Sequence, residues 1–216
     1  MPTRYRWFAT CAAVLGWFAL VLQLLLSIQL TQSNGQGAMA GVWTYFGFYT
    51  VLTNILVALA FTAGAIGPRG AVTRFFGRPG VNTAIAMSIA VVGVIYNVLL
   101  RKLWNPEGWQ LFADMTLHDA MPLIFLLYWW LAVPKQSLRW SQVLVWQVYP
   151  AGYFAYVLVR GAFNSWYPYP FLDVTALGYA SVVGDALLVL LFFIAVALVL
   201  VSLGRWQARR TVVQPA

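Results

Sequence analysis

Charged residues are scarce in this chain. Only 8% of its 216 residues are charged, whereas 62% are hydrophobic. A soluble domain carries about 25% charged residues, so the composition excludes a soluble globular protein and predicts an integral membrane protein. The net charge is +8, but the basic residues lie in short segments between apolar runs. That arrangement argues against a basic face for nucleic acid and is typical of membrane topology.

Cysteine and histidine each occur once, as Cys11 and His118. One cysteine excludes an intrachain disulfide, and one histidine excludes a metal or haem site built from several histidines of one chain. The sequence also contains no GxSxG, HExxH or Walker motif, so it lacks the signatures of common serine hydrolases, zinc proteases and nucleotide hydrolases. We therefore expect neither a metal nor an organic cofactor.

Long apolar runs are abundant. Six are long enough for the ~20 residues that a helix needs to cross hydrocarbon, and none alternates with the period of a β-strand. The sequence predicts an all-α bundle of six transmembrane helices in one domain, 1–216. The first run exceeds the about 7–15 apolar residues of a signal peptide, so we expect a retained helix. The predicted spans are 7–30, 42–66, 82–104, 112–133, 141–163 and 176–204.

The basic residues divide unequally between the two ends of this bundle. Ten lie at the end that carries both termini, and the positive-inside rule places that end in the cytoplasm. All five acidic residues and His118 fall in the outer half or the outer loops, so we expect any chemistry to face the non-cytoplasmic side. The ten are Arg4, Arg6, Arg69, Arg74, Arg78, Lys135, Arg139, Arg205, Arg209 and Arg210, and the outer three are Arg101, Lys102 and Arg160.

The fourth run contains ionisable residues that a membrane span normally lacks. Asp114 and His118 are four positions apart and share a helix face, whereas Asp119 points about 100° away. An ionisable group inside hydrocarbon costs ~2.5–3.5 kcal/mol and usually faces a cavity or a partner. A carboxylate at Asp114 could fix the imidazole tautomer of His118. Pro122 cannot bond the His118 carbonyl, so a kink is expected beside the histidine.

The second run places hydroxyl groups at a similar depth. Thr50, Thr53 and Asn54 share one face of a helix. A hydroxyl beside an imidazole forms the nucleophile–base pair of covalent catalysis. The alternative is structural, because threonine in membrane helices commonly bonds the carbonyl four residues earlier. These residues alone decide neither between the two threonines nor between the two roles.

Three further polar residues lie in other runs. Asn97 and Arg160 are near the outer ends of the third and fifth runs, and Asp185 lies within the sixth. Asp185 could take part in catalysis, or it could pair with Arg160 or Arg101 to hold helices in register. An interhelical hydrogen bond is the structural alternative for Asn97.

The segment SWYPYPFLDV, at 165–174, contains two prolines and cannot continue a helix. In the predicted topology it lies at the outer interface. We expect it either to cover an outer cavity as a lid or to anchor the bundle in the interface.

Three segments resemble a known family: FYTVLTN at 48–54, WNPEGWQLFADMTLHDAMPLIFLLYWWL at 104–131 and YPYPFLDVTALGY at 167–179. Together they resemble the bacterial six-helix branch of the androgen-induced and androgen-dependent TFPI-regulating membrane proteins. The resemblance implies a threonine hydrolase of fatty acid esters of hydroxy fatty acids in the bacterial inner membrane. It implies His118 as the active histidine and Thr50 as the preferred nucleophile, with Thr53 as the other candidate.

Two functions follow from these observations. In the first, a membrane lipid or fatty-acyl ester enters an outer-facing pocket, a threonine attacks its carbonyl, and His118 acts as the base. In the second, the protein binds or transports a lipid or small molecule without covalent chemistry, in a manner that responds to pH. A purely structural role for the polar groups is a third possibility, and the oligomeric state is not predicted. The residues expected to orient His118 or to hold substrate and oxyanion are Asp114, Asp185, Asn54, Asn97 and Arg160.

Overall fold

The protein folds as a bundle of α-helices. The computed structural model describes residues 3–212 and the side chains of 5–210, so the Arg4 side chain lies outside the described part. Within that range no β-strand occurs, which confirms the all-α prediction. The helices are α1 (Thr3–Ser33), α2 (Ala38–Tyr45), α3 (Tyr49–Ile66), α4 (Ala71–Phe76), α5 (Pro79–Ile95), α6 (Gly108–Met115), α7 (Met121–Ala132), α8 (Gln142–Trp146), α9 (Val148–Asn164) and α10 (Val174–Val212).

Five helical stretches are long and apolar enough to cross a membrane. They correspond to the first four and the sixth of the predicted spans, and the chain is a helical membrane bundle. In the last stretch, Gly178 takes a φ of 75° and interrupts α10 near its start. The five stretches are Tyr5–Ser33, Tyr49–Ile66, Pro79–Leu103, Gly108–Ala132 and Val174–Arg210.

The second predicted span, 42–66, is two helices rather than one. Residues 46–48 separate α2 from α3, and α2 folds back along α1. A Cβ atom on Gly47 would lie 2.6 Å from the Trp166 ring, so only glycine fits this bend. The start of the predicted span was therefore wrong, because hydropathy alone does not register a tight bend inside an apolar run.

The fifth predicted span, 141–163, is also divided. α8 and α9 meet at Gln147, because Pro150 has no N–H for the Trp146 carbonyl that a continuous helix would present to it. α9 has 17 residues and a length of about 25 Å, shorter than the ~30 Å of hydrocarbon. It is not among the five stretches above, so a sixth span remains a prediction.

Hydrogen bonds show which helix ends lie together. Arg6 Nε donates to the Ala65 carbonyl oxygen (3.1 Å) and joins the start of α1 to the end of α3. Arg205 Nη1 donates to the Leu138 carbonyl oxygen (3.4 Å) and joins the end of α10 to the α7–α8 loop. Phe8 near the start of α1 stacks on Tyr128 near the end of α7 (6.2 Å between centroids), so both pairs lie at one end of the bundle. We call it the inner end, after the predicted topology, and the opposite end the outer end.

The apolar core lies between α3, α5 and α7. Phe61 and Phe125 are fully buried, and their ring centroids are 5.2 Å apart. Trp129 is also buried, and its indole N–H donates to Thr83 Oγ1 (2.9 Å), as a buried indole requires. This packed core fixes the three helices whose outer portions carry the candidate site.

Candidate functional site

A cavity of about 280 Å³ lies at the outer end of the bundle. Its wall brings together three of the predicted residues, Thr50, Asp114 and His118, from two different membrane helices. Most of the surface of the wall is apolar, although about half of the lining residues carry a polar group, and a mainly apolar wall is usual for a ligand pocket. Other lining residues with polar groups are Gln23, Ser27, Tyr45, Tyr96, Trp104, Gln110 and Tyr169.

The helix that carries His118 widens at the histidine. Residues Thr116–Ala120 form a π-helical turn, at whose end an N–H donates five residues back instead of four. In this register Pro122 has no N–H to give to the Leu117 carbonyl, and Asn54 Nδ2 donates to that oxygen instead (3.0 Å). The distortion expected from the proline is therefore a π turn, a feature often found at functional sites.

His118 is held by two neighbours. Its Nδ1 lies 3.0 Å from the carbonyl oxygen of Asp114 and 3.1 Å from Asp114 Oδ1, which confirms the predicted contact. Tyr96 stacks on the imidazole with 3.8 Å between ring centroids, and its hydroxyl donates to Asp114 Oδ2. Acceptors around Nδ1 favour the tautomer with its proton on that nitrogen. Nε2 then keeps its lone pair and can act as an acceptor or base.

Tyr96 belongs to a second π-helical turn, Tyr96–Leu100, at the outer end of α5. The two π turns approach closely because Gly93 has no side chain: a Cβ there would lie 3.3 Å from Pro122 and 3.4 Å from the His118 carbonyl oxygen. Sequence reasoning missed Tyr96, since a tyrosine near a helix end is already explained by the interfacial aromatic belt.

The two threonines of α3 have different surroundings. Thr50 lines the cavity with His118 and also borders a smaller apolar cavity of about 40 Å³. Thr53 is fully buried and shares a hydrogen bond with the Tyr149 hydroxyl (3.1 Å). No hydrogen bond joins either threonine to His118 in the part of the chain that the structure describes. Thr50 is nevertheless the threonine that faces the same space as the imidazole.

Tyr169 approaches Thr50 from the loop after α9. The Tyr49 backbone N–H donates to the Tyr169 hydroxyl oxygen (3.0 Å), and Pro168 and Pro170 line the same cavity. Burial raises the pKa of the Tyr169 hydroxyl, and hydrogen bonding with Thr50 opposes this shift. Because the oxygen accepts from Tyr49, the phenolic proton can still be donated. The loop therefore borders the cavity, and Tyr169 is a second residue that sequence reasoning missed.

Asn54 is committed to structural hydrogen bonds. It is fully buried, and its Nδ2 donates to the carbonyl oxygens of Thr50 (2.9 Å) and Leu117 (3.0 Å). Both amide protons are used, so neither is left for an oxyanion. Asn54 therefore joins α3 to the π turn of His118.

Asn97 belongs to an exposed network outside the cavity. Arg101 Nη2 pairs with both carboxylate oxygens of Asp119 (2.6 and 2.5 Å), and Asn97 Nδ2 donates to Asp119 Oδ1 (2.8 Å). These side chains link the outer end of α5 to the π turn of His118 from its other face. Asn97 therefore has the interhelical hydrogen bond that was its structural alternative.

Arg160 and Asp185 are not brought to the cavity either. Arg160 is 4% exposed, and its guanidinium lies over the rings of Trp43 (4.2 Å to the centroid) and Trp166 (5.3 Å). It also donates to the Trp43 carbonyl oxygen, so it ties α2 to the loop after α9. Within 5–210, Asp185 has no ion pair with Arg160 or Arg101.

Within residues 5–210, no group of three or more His, Cys, Asp or Glu side chains is arranged to hold a metal ion. The chain matches no protein-family model, no curated protein and no solved structure. Function is therefore inferred from the outer cavity together with the three sequence segments that resemble a known family.

Proposed function

We propose that the protein is an intramembrane hydrolase of lipid esters, with Thr50 as nucleophile and His118 as base. One observation carries the proposal: Thr50 and His118 come from different helices and line the same cavity. The backbone carbonyl oxygen of Asp114 bonds His118 Nδ1, with the carboxylate close by, and this leaves Nε2 as the basic nitrogen. A nucleophile, a base and a group that orients the base form the minimum set for acyl transfer.

In the first half of the reaction, Thr50 Oγ1 attacks the ester carbonyl carbon while His118 Nε2 takes the hydroxyl proton. The carbonyl oxygen becomes an oxyanion. Tyr169, which lines the same cavity as Thr50 and whose hydroxyl accepts from the neighbouring Tyr49 N–H, is the donor proposed to stabilise it. The tetrahedral intermediate then breaks its bond to the alkoxy oxygen, which receives the proton from His118. An acyl–Thr50 ester and a free alcohol result.

In the second half, water attacks the acyl–Thr50 carbonyl as His118 Nε2 takes a proton from it. The Thr50 oxygen leaves and recovers that proton, and a carboxylic acid is released. The Tyr96 hydroxyl holds the Asp114 carboxylate in place, and the Tyr96 ring, stacked on the imidazole, fixes the plane of the His118 ring. Both contacts hold the histidine in one orientation through both halves of the reaction.

The substrate class follows from the resemblance and from the wall of the cavity. Fatty acid esters of hydroxy fatty acids, or similar lipids, have acyl chains that suit the apolar wall. Gln110 Nε2 donates to Gln23 Oε1 (3.0 Å) between α6 and α1, and both residues line the cavity. A lipid that enters between these helices would pass this pair. In the predicted topology, the cavity opens away from the cytoplasm and both termini are cytoplasmic.

A fluorophosphonate probe tests the proposal. Attack by Thr50 forms a Thr–O–P bond and releases fluoride, while His118 takes the hydroxyl proton. The wild-type protein should be labelled in detergent, Thr50→Ala should not, and Thr53→Ala should be labelled at close to the wild-type rate. Thr53 is the matched control because it lies one turn away on the same helix and does not line the cavity.

Labelling of Thr50→Ala at the wild-type rate would overturn the mechanism. A wild-type protein that binds fatty-acyl esters but never becomes labelled or releases acid would instead favour the non-catalytic alternative, a lipid-binding protein or transporter. The absence of a hydrogen bond between Thr50 and His118 does not decide between them, since catalytic hydrogen bonds often tighten only with substrate bound.

A further inference from the structure

A groove of about 900 Å³ extends from the inner end of the bundle and shares no lining residue with the cavity of the candidate site. It runs between the start of α5 and the segment α8–α9. Its volume is at the upper end of the about 300–1,000 Å³ that is typical of ligand pockets. The apolar part of its wall includes Leu56, Phe76, Val81, Ala84, Ile85 and Trp146.

The mouth of the groove is basic. Arg78 lines it, and the exposed side chain lies over the Phe75 ring (5.8 Å to the centroid) rather than against a carboxylate. Arg74 and Arg139, both exposed, lie on segments that contribute other lining residues. Pro79 and Gly80 also line the groove, so the N-terminus of α5 adds partial positive charge there.

No acidic residue is placed to neutralise this charge. The five acids of the chain, Glu107, Asp114, Asp119, Asp173 and Asp185, all lie in the segments of the outer half. Within residues 5–210 the only ion pairs are Arg101–Asp119 and His118–Asp114. The groove therefore combines an apolar interior with a cationic mouth that lacks a protein counter-ion.

We propose that this groove binds one anionic phospholipid, with an acyl chain along the apolar wall and the phosphate at Arg78 and the start of α5. An acyl chain suits the interior, and a headgroup with net negative charge suits the mouth. The groove shares no lining residue with the cavity of Thr50 and His118. The site is therefore separate from the proposed hydrolase chemistry and does not depend on it.

The full chain, purified in detergent micelles, can be titrated with phosphatidylglycerol and with phosphatidylcholine of the same acyl chains, and bound lipid counted by native mass spectrometry. We expect one phosphatidylglycerol per chain, bound at least fivefold more tightly than phosphatidylcholine. Arg78→Gln should weaken phosphatidylglycerol binding about fivefold, the effect of one basic residue at a membrane surface. Ala84→Trp should fill the groove and abolish the tight site.

Two control variants separate a built site from general effects. Arg69→Gln removes an exposed basic residue of the α3–α4 loop that does not line the groove, and Val94→Trp adds the same bulk at an exposed position of α5. Both should bind phosphatidylglycerol like the wild type. Equal binding of the two lipids, equal loss in Arg69→Gln and Arg78→Gln, or displacement of the lipid by glycerol phosphate alone would overturn the proposal.

Discussion

Asn54 in the outer half and Asn82 at the inner end are both buried, and the Nδ2 of each donates to two backbone carbonyl oxygens. Asn82 bonds Phe76 (2.6 Å) and Arg78 (3.1 Å), which are four to six residues away along the chain. Asn54 also bonds Leu117, 63 residues away on another helix. The same side chain therefore closes a local turn at one end and joins two helices around a cavity at the other.

The difference extends to the ionisable groups of the two regions. In the outer half, Asp114, His118 and Tyr96 contact one another beside open space. At the inner end, buried Lys135 lies in the loop after α7 and is bonded to carbonyl oxygens at the end of that helix, those of Trp129 and Val133. Polar groups in the outer half contact one another across helices beside a cavity, whereas Lys135 at the inner end bonds the carbonyl oxygens of a helix end. Substitutions in the outer half and at the inner end test this comparison.

The largest effect is expected for His118→Ala. Loss of the proposed general base should slow fluorophosphonate labelling by about 10²–10⁴-fold, because the chain has no second histidine to replace it. The measurement is the labelling rate at constant pH. A control is Gln136→Ala, which removes an exposed polar side chain that does not line this cavity and should leave the rate close to wild type. A labelling rate for His118→Ala equal to the wild-type rate would remove the chemical role of the outer half.

Asp114→Asn should have a smaller effect. The carboxylate is lost, but the backbone carbonyl of residue 114 still accepts from Nδ1 (3.0 Å) and retains the tautomer. We therefore expect a loss of rate well below the ~10⁴-fold seen where a buried aspartate alone fixes the tautomer. Asp119→Asn is the control, since Asp119 pairs with Arg101 outside the cavity. If both variants slowed labelling equally, Asp114 would have no special relation to His118.

The two asparagines allow a paired test of stability and rate. Asn54→Ala and Asn82→Ala each leave one buried carbonyl oxygen without its side-chain donor, that of Leu117 or of Phe76, which costs about 1–3 kcal/mol of unfolding free energy. Both should lower the unfolding temperature in detergent, but only Asn54→Ala should also slow labelling, because it loosens the π turn that carries His118. Slower labelling in Asn82→Ala would show that the two regions are not independent.

The helical bundle could be predicted from the sequence because runs of ~20 apolar residues have few other stable forms in a membrane. Its breaks could not be read from hydropathy. Gly47 and Pro150 interrupt apolar runs, one through close packing against Trp166 and the other through a missing N–H. Both depend on backbone geometry, to which an average over a window is insensitive.

Only part of the candidate site could be predicted from the spacing of residues along the sequence. The Asp114–His118 contact could be predicted because residues four apart on a helix are neighbours. Tyr96 and Tyr169 come from other elements, and no spacing rule connects them to His118. The choice between Thr50 and Thr53 depends on how α3 is rotated against its neighbours. That rotation is set by packing and not by any property of the two threonines.

The smallest effect is expected at the inner end, at Lys135, which is 4% exposed. Burial lowers the pKa of its ammonium group from 10.5 to about 8. Between these pH values the unfolded chain binds more protons than the folded protein, so wild-type stability should rise with pH across that window. Well below pH 8, Lys135 is protonated in both the folded and the unfolded protein, so folding carries the full free-energy cost of burying its charge.

Lys135→Met removes this titration. The unfolding temperature of the wild type relative to Lys135→Met should therefore increase by a few degrees as the pH is raised from about 8 toward 10.5. Lys102→Met, which removes an exposed outer lysine, should show no such trend. A difference that stayed constant with pH would mean that the ammonium group keeps its ordinary pKa through its bonds to the carbonyls of Trp129 and Val133.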